Sequence, residues 1–76
     1  MLRLIDVKDG SVCIVTGINA GINLIRRLEM LNIRVGKEIR KVTQQPLYGP
    51  VVLEVDGRRI TIGRGMASKI LVEIKT

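Results

Sequence analysis

Few side chains in this sequence could carry out chemistry. It has no histidine, the commonest general base and metal ligand, and Cys13 is its one cysteine. Its acidic residues are scattered, and no two stand in a motif that would enforce a catalytic pair. They are Asp6, Asp9, Glu29, Glu38, Glu54, Asp56 and Glu73. The glycine-rich stretch GINAG (residues 17–21) lacks the Lys-Ser/Thr pair of a phosphate loop, so a turn is the better interpretation. The sequence therefore predicts a protein that is not an enzyme.

Positive charge is the second chemical feature of the chain. It has 13 lysines and arginines against 7 acidic residues, with a net charge of +6. A field of this sign favours nucleic acid, anionic lipid or an acidic protein face. The charge is dense in RRLEMLNIRVGKEIRK (residues 26–41), but basic residues also run from Arg3 to Lys75. Barrels that bind single strands add aromatic platforms for base stacking, and here Tyr48 is the only aromatic residue. A dispersed solvated surface is the alternative that needs no partner.

The length and the apolar content bound the architecture. A chain of 76 residues is predicted to form one domain, 1–76, and without Phe or Trp its core must consist of Ile, Val and Leu. Such β-branched residues favour strands. A lone cysteine in an apolar segment suits a reducing compartment. No segment approaches the ~20 apolar residues of a membrane span, so we expect a cytoplasmic protein without direct membrane insertion.

The first predicted strand, 11–18, is apolar on both faces, which indicates cover on both sides. A helix over about residues 21–31 follows, with Asn19 or Asn23 as candidate caps. Its apolar stripe consists of Leu24, Ile25, Leu28 and Leu31. Arg26 and Arg27 are read as lying near the helix start, where the helix dipole disfavours positive charge, so they favour contact with a partner.

The exit from this helix is specified by local sequence. Asn32 can take the left-handed conformation just past the helix, and Ile33 would then fold back onto Leu28. Gly36 is predicted to make the following turn. The spacing of Ile39 and Val42 in the next strand, 37–43, predicts a bulge that would turn both residues inward.

The clearest pattern is VVLEVDGRRITI (residues 51–62). Alternating apolar residues flank Asp56-Gly57, which favours a two-residue hairpin turn with Glu54 opposite Arg59. A short helical turn near 65–68 and a strand with Ile70, Val72 and Ile74 inward complete the chain. The fold prediction is a mainly β, SH3-like, partly open barrel of about five strands with one inserted helix.

Four side chains are predicted to form a partner surface: Arg26, Arg27 and Met30 on the helix, and Tyr48 in a loop. Tyr48 lies in QQPLYGP (residues 44–50), where a lone aromatic has no core to join. No catalytic, cofactor or metal residue is predicted.

RRLEMLNIRVGKEIRKV (residues 26–42), followed by PLYGPVVLEVDGRRITIGRGMASKILVEI (residues 46–74), resembles the FeoA family of ferrous iron transport accessory proteins. The resemblance runs from about residue 4 to residue 74 and rests on the order and spacing of the segments. Asn32 replaces the usual Gly, Val35 replaces Pro, and Tyr48-Gly49-Pro50 replaces Gly-Asp-Pro. The resemblance implies an SH3-like barrel and a cytosolic, non-enzymatic protein. It also implies that the protein works with the FeoB membrane transporter, at the cytoplasmic GTP-binding region of that transporter. We expect no cofactor and at most a weak or indirect link to Fe²⁺.

Two alternatives stay open at this point. One is a small basic barrel that binds RNA or single-stranded DNA. The other is a metal-responsive domain, related to the C-terminal domain of iron-dependent repressors, in which Cys13 and carboxylates bind Fe²⁺ or Zn²⁺. The absence of histidine argues against the second.

Overall fold

The computed structural model describes residues 2–75, and its architecture is mainly β. Six antiparallel strands form one open sheet in the order β1-β6-β2-β3-β4-β5. The strands are β1 (Leu2–Arg3), β2 (Val12–Ile18), β3 (Glu38–Gln44), β4 (Val51–Val55), β5 (Arg58–Ile62) and β6 (Ile70–Ile74). The helices are α1 (Ile22–Met30) and α2 (Arg64–Ala67), and a 3₁₀ turn spans Leu4–Asp6. The fold prediction is confirmed. The strand beyond the predicted five is the two-residue β1.

Strand β2 is buried on one face only. Cys13 and Val15 are enclosed in the core, whereas Val12 and Ile14 are half-buried. The prediction that both faces of this strand are covered is therefore wrong. Val12 instead lines a groove together with Arg40 of β3 and Glu54 of β4.

No helix among residues 2–75 is long and apolar enough to cross a membrane.

Helix α1 begins without a side-chain cap. Its N-cap residue is Gly21, with the Ile25 amide donating to the Gly21 carbonyl at 3.1 Å, so neither predicted asparagine caps it. Asn19 lies two residues before the N-cap and Asn23 lies inside the helix, so neither occupies the capping position. Leu28 is fully buried beneath the helix, as the stripe predicted. Arg27 lies in the last turn, not near the start, so the helix dipole favours its charge rather than opposing it.

The end of α1 is the predicted left-handed cap. Asn32 has φ 65°, and its amide donates to the Glu29 carbonyl at 2.8 Å. The Ile33 amide reaches the Leu28 carbonyl at 2.9 Å, which is the second hydrogen bond of a Schellman motif. Leu28 and Ile33 are both fully buried, and Gly36 turns at φ 92° into β3. The helix exit is therefore determined by residues 28–36.

Strand β3 contains the predicted bulge, but a different residue turns inward. The register against β4 shifts between Lys41 and Thr43. Ile39 is buried as predicted, Val42 is only half-buried, and the enclosed side chain is Lys41. The prediction for Val42 is wrong because the bulge aims the long lysine, whose polar head finds partners inside, toward the N-terminal segment.

The hairpin of β4 and β5 has the predicted register, with Val51 opposite Ile62, Leu53 opposite Ile60 and Glu54 opposite Arg59. Asp56 and Gly57 have φ 53° and 77°, the two positive angles of a type I′ turn. The salt bridge of Glu54 is with a residue of another strand. Glu54 binds Arg40 of β3 at 3.1 Å rather than Arg59, and this contact holds the pKa of the Glu54 carboxyl below its usual range.

Strand β6 departs from the prediction at its end. Ile70 and Val72 are buried, but Ile74 is 49% exposed. Strand β1 pairs only with residues 71 and 72 of β6. The strand therefore extends past its neighbour, and Ile74 loses cover on that side.

Candidate protein-interaction surface

Helix α1 presents a basic and apolar face to solvent. Arg26, Arg27 and Met30 are all exposed, and because they are three and four residues apart they are neighbours on the helix surface. Met30 is 86% exposed. Neither arginine forms a salt bridge within residues 2–75. We call these three residues the α1 face; their charge and apolar surface are available to a partner.

The C-terminal end of α1 is tied to the β4–β5 turn. The Asn32 side-chain amide donates to the Asp56 carboxylate, and Lys37 Nζ binds the other oxygen of that carboxylate at 2.5 Å. Arg34 donates to the Asn32 side-chain oxygen at 2.7 Å. Hydrogen bonds from Lys37, which has the larger effect, and from Asn32 lower the pKa of the Asp56 carboxyl. These contacts hold the segment that follows α1 against the hairpin turn.

The loop of residues 45–50, which we call the tip loop, carries Leu47 and Tyr48 into solvent. Both have left-handed backbones, with φ 58° and 61°, a conformation that costs a non-glycine residue on the order of 1 kcal/mol. Leu47 is 94% exposed and Tyr48 is 82% exposed. The Arg64 guanidinium lies 5.0 Å from the centre of the Tyr48 ring, a cation–π contact. The tip loop therefore displays an aromatic ring oriented by a cation.

A close backbone approach explains one glycine of this loop. A Cβ atom on Gly49 would lie 2.6 Å from Cβ of Gln45. The loop is closed by the Gln45 amide, which donates to the Pro50 carbonyl at 3.0 Å, and by the Gly49 amide, which donates to the Pro46 carbonyl at 3.2 Å. The glycine belongs to the shape of the loop, and not to its contact surface.

The predicted partner residues fall on two segments. Arg26, Arg27 and Met30 share one helix, whereas Tyr48 lies in the tip loop with its ring against Arg64 of α2. Whether these residues contact a partner stays a prediction. Sequence reasoning missed Leu47 and Arg64. Leu47 had a signal, since it is an apolar residue beside Tyr48 in a turn, but nothing in the local sequence places Arg64 against the ring.

Lys41 is a buried cation that sequence reasoning did not single out. It is 2% exposed, and its Nζ donates to the Val7 carbonyl at 2.8 Å, the Ile5 carbonyl at 3.4 Å and the Gln44 side-chain oxygen at 2.8 Å. Burial lowers the pKa of this ammonium group, while Asp9, at 3.9 Å, opposes that change. The side chain joins β3 to the segment that follows β1, and its enclosure gives it a structural role.

No cluster of potential metal ligands is assembled in the described part of the chain. Cys13 is fully buried, and burial raises the pKa of its thiol. No group of three or more potential metal ligands lies together within residues 2–75. The metal-responsive alternative therefore finds no donor set in these residues.

Comparison with known proteins identifies the family. A sequence profile of the FeoA domain matches residues 2–74. A protein of Methanocaldococcus jannaschii, provisionally named Fe(2+) transport protein A, is 38% identical over 73 residues, which cover 96% of this chain and 87% of that protein. The crystal structure of an iron uptake regulatory protein (FeoA) superposes with a TM-score of 0.86 at 30% identity, covering 93% of each chain.

A manganese-activated repressor, ScaR, contains the same fold. The crystal structure of ScaR with bound Zn²⁺ gives a TM-score of 0.89 at 29% identity, and the match covers 99% of this chain but 37% of ScaR. The common unit is thus an SH3-like domain that also occurs as one part of longer proteins. The profile match over nearly the whole length and the related Fe(2+) transport protein show that this chain belongs to the FeoA family of ferrous iron transport accessory proteins.

Proposed function

We propose that this protein acts in ferrous iron uptake by binding the cytoplasmic GTP-binding region of a FeoB-type membrane transporter. Its family membership supports a place in this transport system. The observation that carries the proposal is the α1 face, where Met30 is 86% exposed beside two arginines that lack salt bridges within residues 2–75. Contact with a protein, rather than chemistry on a substrate, is what this arrangement offers.

The chemistry of the surface suits a protein partner. Arginine and tyrosine are enriched among the residues that dominate binding energies at interfaces, and methionine adapts its shape to the surface opposite. Arg26 and Arg27 would pair with acidic groups, Met30 would fill an apolar depression, and Tyr48 would contribute a second contact from the tip loop. The protein binds no cofactor in this account, and its connection to Fe²⁺ is indirect, through the transporter.

Charge reversal on α1 tests the proposal. We expect the double substitution Arg26→Glu with Arg27→Glu to weaken binding to a purified FeoB-type transporter by roughly 10- to 100-fold, because the lost and repelled charge pairs together should cost about 1.4–2.8 kcal/mol. Both side chains are exposed, so the fold should persist. Since Arg27 lies in the last turn, its reversal should lower the free energy of unfolding by about 0.3–1 kcal/mol. Biolayer interferometry measures the affinity, and circular dichroism checks the fold.

The chain offers a matched control for this experiment. Lys8 and Lys69 are exposed and form no salt bridge within residues 2–75, so Lys8→Glu with Lys69→Glu makes the same change in net charge elsewhere. The proposal requires the control to bind the transporter much as the wild type does. Equal weakening by both pairs would mean that net charge alone drives association. Unfolding of the α1 variant would show instead that Arg26 and Arg27 are structural.

A further inference from the structure

Strand β5 forms one edge of the sheet, and the hairpin turn decides which of its backbone groups face outward. Strand β5 pairs with β4 on one side and is last in the strand order. In a two-residue hairpin the residues that flank the turn, here Val55 and Arg58, exchange hydrogen bonds, and such pairs alternate along the strands. Ile60 and Ile62 therefore direct their backbone groups to β4. Arg59 and Thr61 direct theirs to the free edge.

These outward groups have no partner in the described part of the chain. No backbone hydrogen bond beyond the sheet ladder involves Arg59 or Thr61 within residues 2–75. Both residues are exposed. A row of free N–H and C=O groups on an edge strand is a template for pairing with another extended segment.

Two arginines beside this edge, Arg58 and Arg59, also form no salt bridge within residues 2–75. Glu54 lies opposite Arg59 but is bound to Arg40, and Asp56 lies next to Arg58 in the hairpin but is bound to Lys37. Neither Arg58 nor Arg59 has a carboxylate within salt-bridge distance among the described residues. The edge therefore combines unpaired backbone groups with two arginines that form no salt bridge within residues 2–75.

We propose that the edge of β5 binds an extended acidic peptide segment of a partner protein, which adds to the sheet as a further strand. Backbone hydrogen bonds to Arg59 and Thr61 would supply the geometry, and carboxylates on one face of the peptide would pair with Arg59, which shares its face of β5 with Thr61. The same arginines act against a second copy of this edge, because pairing β5 with itself would bring like charges together. The site is separate from the α1 face, and the inference goes beyond the proposed transporter contact.

A synthetic peptide of alternating Glu and Val tests the backbone part of this proposal. We expect the labelled peptide to bind the full chain in fluorescence anisotropy, and to slow hydrogen exchange at the Arg59 and Thr61 amides in NMR spectra. Thr61→Pro removes the outward N–H while leaving the ladder to β4 intact, since proline is tolerated where the N–H faces solvent at an edge. We expect this substitution to weaken peptide binding about tenfold or more, because a lost backbone hydrogen bond and the ring itself both oppose pairing.

Two matched controls make the test independent of the stability of that variant. Thr61→Ala keeps the amide and should bind the peptide like the wild type. Two N-methylated versions of the peptide differ in which set of alternate residues carries the methyl group. Methyl groups that face β5 should abolish binding, and methyl groups that face away from β5 should leave binding unchanged. A Lys-Val peptide of the same length should not bind.

The opposite results would overturn the proposal. They are equal binding of the two N-methylated peptides, equal binding of the acidic and basic peptides, or slowed hydrogen exchange that is confined to α1. Binding of a single-stranded oligonucleotide at β5 with greater affinity than the acidic peptide would assign the edge to nucleic acid instead.

Discussion

Replacing Lys41 by alanine is expected to lower the free energy of unfolding by about 3 kcal/mol, because losing one member of a buried charged network typically costs 3–5 kcal/mol and a single buried hydrogen bond less. The substitution removes the donor to two backbone carbonyls, those of Ile5 and Val7, and to the Gln44 side chain. It also leaves a cavity where the four-carbon stem of the lysine lay. Urea denaturation followed by circular dichroism measures the change.

Lys41→Met separates the packing of the stem from the hydrogen bonds of its head. Methionine fills most of the volume, so we expect a loss of about 2 kcal/mol, the cost of carbonyl groups left without a donor. Exposed Lys69 serves as the control, and Lys69→Met should change the stability by less than about 0.5 kcal/mol. If Lys41→Met matched Lys69→Met, the internal hydrogen bonds of Lys41 would contribute nothing to stability.

The same residue should make the stability depend on pH. Burial lowers the pKa of the Lys41 ammonium below its ordinary value of 10.5 in the folded state. Between the lowered value and 10.5 the unfolded chain binds more protons than the folded chain, so this group's contribution to stability rises with pH. The stability difference between wild type and Lys41→Met should therefore widen as pH approaches 10.5. A difference that is constant or narrows would contradict the lowered pKa of the Lys41 amine.

The second large effect is expected at Leu28. Leu28→Ala should lower the free energy of unfolding by about 3 kcal/mol, within the 2–5 kcal/mol found for buried leucines, because it opens a cavity beneath α1. Leu28 is fully buried, and it belongs to the same core cluster as Ile33, the residue that follows the helix cap. Loss of this packing loosens the helix that carries Arg26, Arg27 and Met30. Transporter binding should fall together with stability.

Met30 provides the control on the same helix. Met30→Ala removes a side chain that is 86% exposed and should change the stability by less than about 0.5 kcal/mol. Thermal and urea unfolding of the two variants measures the contrast. Equal losses from both substitutions would mean that α1 does not pack on the sheet through Leu28.

The features that sequence reasoning predicted well are those fixed by neighbours in the chain. The type I′ turn at Asp56-Gly57 and the left-handed cap at Asn32 both depend on the backbone preferences of one or two residues. The apolar stripe of α1 follows from helical periodicity alone. For the same reason the overall order of helix and strands was predictable.

The features that were missed depend on contacts between distant segments. Lys41 is buried because a bulge in β3 aims it at carbonyls of residues 5 and 7, which no local pattern shows. Glu54 forms a salt bridge with Arg40 on β3 and not with Arg59, which lies opposite it on β5 in the predicted register. The placement of Arg64 over the Tyr48 ring is likewise a tertiary contact. The orientation of the Tyr48 side of the candidate surface therefore could not be predicted from the sequence.

Hydrogen exchange of this protein in complex with a FeoB-type transporter tests the central claim most directly. Backbone amides are compared, by mass spectrometry, between the free chain and the chain bound to transporter in lipid nanodiscs with a GTP analogue present. The account predicts slowed exchange in residues 22–30 and 45–50. A complex whose protection lies only outside these two segments would contradict it, as would the absence of any complex under conditions in which both proteins are folded.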